Sequence, residues 1–166
     1  MFRLLVALAF VAGPAMAQEK APVVARAEAC LRANVDRVVA VEPNLQSAAS
    51  FLVSYSCANE TSRAAQYERN TAWLASMRSW LKGMNEWSPQ AAFGNDIDAS
   101  VDPETGEFAM HSPKPGAKPN PLTNMLPQMS AQSSMIIPEQ PSPSLRKLAG
   151  DLVLAARERQ TAKTRR

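Results

Sequence analysis

Apolar residues in the first half of the chain recur at helical spacing. From Pro22 to Val41, Ala27, Leu31, Val35 and Val38 follow the i, i+4, i+8, i+11 rhythm of one helix face, with Cys30 beside it. Pro22 suits a first helical turn, where its missing N–H costs nothing, and Pro43 ends the segment. Asn44 stands at an N-cap position, and Leu45, Ala48, Leu52 and Tyr55 then recur at three- and four-residue steps, predicting a second helix. Near residues 58–62 the pattern loses phase, because Asn59, Ser62 and Gln66 fall where apolar residues are due. The helix is expected to kink there or to turn a different face inward.

A third helix is predicted from Ala64 to Trp87. Trp73, Met77, Trp80, Met84 and Trp87 alternate at four and three residues, and Leu74 and Leu81 widen the stripe. At 100° per residue these positions fall within an arc of about 140°. Such a face predicts the core of a helix bundle, with a stacking platform or partner groove as the alternative. Ser88-Pro89 stops the helix. Ile97–Val101 and Glu107–Met110 flank Asp102-Pro103-Glu104-Thr105-Gly106, a turn sequence that predicts a β-hairpin. Residues 112–143 carry eight prolines and little periodicity, as an extended connector would. Ser142 or Ser144 then caps a last helix lined by Leu145, Leu148, Leu152 and Ala156.

The two cysteines tie the first pair of helices together. Pro43-Asn44 lies midway between Cys30 and Cys57, and in an antiparallel pair residues equally far from the turn face each other. The spacing predicts a Cys30–Cys57 disulfide beside a seam that sets Val35 opposite Leu52 and Val38 opposite Ala49. No C-x-x-C redox pair is present.

The N-terminal segment changes the cellular setting. Arg3, the apolar run Leu4–Val11, the Gly13-Pro14 break and Ala15-Met16-Ala17 have the parts of a cleaved signal peptide over residues 1–17. The run is shorter than the roughly 20 apolar residues a transmembrane helix needs. Two cysteines in an exported chain favour a structural disulfide over a metal site.

Charge is unevenly placed. Arg146, Lys147, Arg157, Arg159, Lys163, Arg165 and Arg166 face only Asp151 and Glu158 after residue 144, so the high pI is a property of the C-terminal end. A nucleic-acid binder would carry its basic charge across a face of the body, so none is expected as partner. Arg157, Arg159, Lys163, Arg165 and Arg166 instead suit an anionic envelope component or an acidic envelope protein.

Candidate chemistry adds little. Asp96, Asp98, Ser100, Asp102 and Glu107 fall at positions 1, 3, 5, 7 and 12 of an EF-hand-like loop, but Val101 replaces its glycine and Pro103 follows. His111 is the single histidine, without an evident base or nucleophile, and rules out a histidine-rich zinc site. The Asn59-Glu60-Thr61 sequon lies in a helical stretch and reads as chance.

The sequence therefore predicts a mainly α protein: a signal peptide (1–17), a helical domain with a terminal β-hairpin (18–111), a Pro-rich connector (112–143) and a basic C-terminal helix (144–166). No catalytic residue, metal site or cofactor is assigned. The expected function is an exported, non-enzymatic interaction or accessory protein of the cell envelope. The alternatives are an envelope-polymer hydrolase using carboxylates such as Asp96, Asp98 or Glu107, or a calcium-dependent binding module.

Overall fold

The computed structural model describes residues 20–87, 97–112, 115–116, 120–126, 128 and 142–165. The predicted signal peptide, Asp96, Arg166 and much of the Pro-rich connector lie outside the described residues. Helix α1 (Pro22–Val41) is followed by α2 (Leu45–Phe51), a π-helical segment (Leu52–Ser56) and the long α3 (Ala58–Trp87). Strands β1 (Ala99–Val101) and β2 (Phe108–Met110), a short helix α4 over 121–126 and α5 (Pro143–Thr164) complete it. The protein is mainly α-helical.

Local chemistry accounts for most boundaries. Pro22 opens α1, and the Asn44 side chain accepts from the backbone N–H groups of Gln46 and Ser47 to cap α2. Ser142 caps α5 by accepting from Leu145 N, with Pro143 in the first turn. The lost phase near residue 58 is a π turn: Cys57 N donates to Leu52 O, five residues back, at 3.0 Å. Thr61 Oγ1 lies 2.9 Å from Val53 O and 2.8 Å from Cys57 O, so its hydroxyl serves carbonyls at the irregular turn. Thr61 is thereby buried, and the sequon's hydroxyl is engaged.

Cys30 and Cys57 are joined, with Cα atoms 5.9 Å apart. Beside them lies a core built from Leu31, Val35 and Val38 of α1, Ala48 and Leu52, Ala64 of α3, and Leu145, Ala149, Val153 and Ala156 of α5. Helix α5 thus joins this bundle beside the start of α3, while the Trp-rich part of α3 packs elsewhere. Alanines at 149 and 156 let α5 approach closely, which a tryptophan stripe would prevent. Leu145 and Ala156 are buried as predicted, while Ala149 and Val153 take the two places between them, leaving Leu148 and Leu152 half-buried at the flank.

A second, smaller core forms where Leu74 and Leu81 of α3 meet Ile97 and Ala99 of the hairpin and Leu126 of α4. The hairpin pairs Ala99 with Met110 and Val101 with Phe108. Its turn is held by Asp102 Oδ1, which accepts from Glu104 N at 2.7 Å. Val23 N donates to Pro103 O, Arg26 pairs with Glu104, Asn70 donates to Gly106 O at 2.8 Å, and Arg78 donates to Ala99 O. Gly106, at φ 81°, lies so close to α3 that a Cβ would sit 2.8 Å from Arg63 O. Near the start of α1, Lys20 hydrogen-bonds Glu28 and holds its carboxyl below the usual range against the opposing effect of burial, with Arg32 adding to the lowering.

Two outcomes follow from this packing. Replacing both Cys30 and Cys57 by alanine frees a 27-residue separation and should lower unfolding free energy by about 3 to 4 kcal/mol in denaturant titration. Gly106→Ala should cost about 1 to 3 kcal/mol, whereas Gly150→Ala, on an open face of α5, should gain about 0.5 to 1 kcal/mol from helix propensity.

Candidate functional site

One surface groove, of about 440 Å³, lies between the C-terminal half of α1 and the π-helical segment. Its walls include Asn34, Arg37, Val38, Val41, Phe51 and Tyr55. Helix α1 buries the row Leu31, Val35, Val38, so Asn34, Arg37 and Val41 stand at its edge. Tyr55 was expected on the buried seam with Ala48 and Leu52. The wider π turn shifts the helix face, burying Val53 and leaving Tyr55 74 % exposed.

Phe51 and Tyr55 stack with ring centroids 5.1 Å apart and planes at 20°. Phe51 is 42 % exposed and Val41 72 %, so three large apolar side chains share one open surface. Asn34 donates to Cys30 O at 3.0 Å and lies within 3.8 Å of both disulfide sulfurs, so the cross-link forms one end of the groove. Among the described residues Arg37 has no hydrogen-bond or ion-pair partner.

The predicted sites are distributed differently. The Trp/Met stripe divides: Leu74 and Leu81 are buried, Trp73 and Met77 are half-buried with Trp73 against Phe108 at 5.7 Å, Met84 is half-buried, and Trp80 and Trp87 are exposed. It is a core face only over its first part. Of the basic residues, Arg157 donates to Glu42 O at 2.7 Å, satisfying a carbonyl beyond the end of α1, and Arg159 pairs with Asp36 at 2.9 Å. Lys163 and Arg165 project into solvent at the end of α5.

The hairpin brings other candidates to known places. Asp98 and Glu107 lie at opposite ends of it, with His111 N bonded to Asp98 O and Asp102 N to Glu107 O, so the two carboxylates do not share a site. Ser100 Oγ and His111 Nε2 are 2.8 Å apart on an exposed strand face. No group of three or more His, Cys, Asp or Glu suited to a metal ion occurs among the described residues. Nor is any helix there long and apolar enough to cross a membrane.

Sequence reading missed Phe51, Val41 and Arg37. The i, i+4 aromatic pair was a usable signal, but its exposure depends on the π turn.

Arg157→Ala should lower stability by about 1 to 2 kcal/mol by orphaning the Glu42 carbonyl, while Lys163→Gln with Arg165→Gln should leave the thermal midpoint within error. Compared with known proteins, the chain matches no family model, no curated protein and no solved structure.

Proposed function

We propose that this is an exported, non-enzymatic accessory protein of the cell envelope that works by docking a partner on the groove between α1 and the π-helical segment. The observation that carries the reading is the stacked Phe51–Tyr55 pair, held in solvent on a segment that a disulfide locks in place. Exposed aromatic surface on a rigid frame loses little conformational entropy on binding, and aromatic residues dominate binding energy at interfaces. Export is supported by the signal-peptide pattern of residues 1–17 together with the disulfide. The basic end has a secondary part in this reading, because Arg157 and Arg159 are used inside the molecule. Lys163, Arg165 and Arg166 remain as the residues that would favour an anionic envelope surface.

A photo-crosslinking amino acid placed at Val41, in the full chain expressed in its own cells, tests the reading. Discrete adducts are expected, and Phe51→Ser with Tyr55→Ser should abolish them while shifting the thermal midpoint by no more than a few degrees. Adducts of equal yield in that double variant would overturn it.

A further inference from the structure

We infer that the partner segment taken by this groove is an acidic, apolar peptide: an apolar side chain against Val41, Phe51 and Tyr55, and a neighbouring carboxylate on Arg37. The inference rests on the docking reading above and specifies its chemistry. The apolar part follows from the walls. Val38 forms a buried floor, and the Phe51 and Tyr55 rings with Val41 present an open apolar rim. At about 440 Å³ the groove holds one or two side chains, the scale of a peptide anchor.

The carboxylate follows from charge. Among the described residues Arg37 is the one charged residue in the groove wall, and no acidic side chain of theirs lines it. Two acids, Asp36 and Glu42, lie near the same end of α1, and neither pairs with Arg37. Asp36 pairs with Arg159 at 2.9 Å, and Glu42 Oε1 accepts from Asn44 N at 2.9 Å. Arg37 thus stands beside an apolar surface with no ion-pair partner among the described residues, where a carboxylate would gain a charge-assisted hydrogen bond and a basic group would be repelled. Asn34 cannot substitute for it, since its amide is uncharged and is turned towards Cys30 O and the disulfide sulfurs.

The test uses the full mature chain labelled with ¹⁵N and two blocked hexapeptides, acetyl-Ala-Leu-Phe-Glu-Leu-Ala-amide and its Glu-to-Gln twin. The Glu peptide should shift the amide resonances of Arg37, Val41, Phe51 and Tyr55. It should bind about fivefold tighter than the Gln peptide at low salt, and the ratio should fall to about one in Arg37→Gln and at high salt. Equal affinity for the two peptides would overturn the carboxylate assignment, whereas the docking reading is judged separately by the Val41 crosslinks. Failure of both peptides to bind would overturn the peptide assignment. The same resonances shifting on dilution of the protein alone would overturn it too, by showing a second copy in the groove.

Discussion

The covalent link between Cys30 and Cys57 is the constraint on which the rest of the structure depends. It fixes the level at which the chain, having reversed at Pro43-Asn44, passes α1 again. That level coincides with the π turn at Leu52–Ser56, which ends at the linked Cys57. The turn decides two things together. Cys57 and Val53 enter the core, and Tyr55 leaves it. A link with no side-chain chemistry of its own thereby sets where the binding surface lies.

Around this link the molecule builds two cores joined by the length of α3. The first is a close bundle of α1, α2 and α5, completed by the start of α3; the second is a smaller contact of the far part of α3 with the hairpin and α4. Because neither core is large, polar contacts at their edges matter more than usual. The hairpin is fastened by backbone acceptors that Asn70 and Arg78 reach from α3, and by Val23 at the start of α1. Its tight seat on α3 is why residue 106 is glycine: both the positive φ and the nearby backbone exclude a side chain.

The same economy changes the role of the basic end. The charge there predicted a basic helix suited to an anionic partner, yet Arg157 and Arg159 are drawn back onto α1 as α5 packs. The Arg159–Asp36 pair is exposed and contributes little to stability itself.

The pairing of Cys30 with Cys57, the Asn44 cap, the hairpin turn and the mainly helical class were all legible in the residues, because each depends on local spacing or local hydrogen bonding. The break near residue 58 was legible as a loss of phase, without its form. What the sequence could not determine was which apolar stripe would win a place in the core. The tryptophan stripe of α3 divides between a second core and solvent, leaving Trp80 and Trp87 outside, while the alanine-bearing face of α5 packs against α1 beside the start of α3. Burial is a competition between surfaces for the same space, settled by shape across the whole chain. Periodicity identifies the competitors, and only the tertiary structure decides among them.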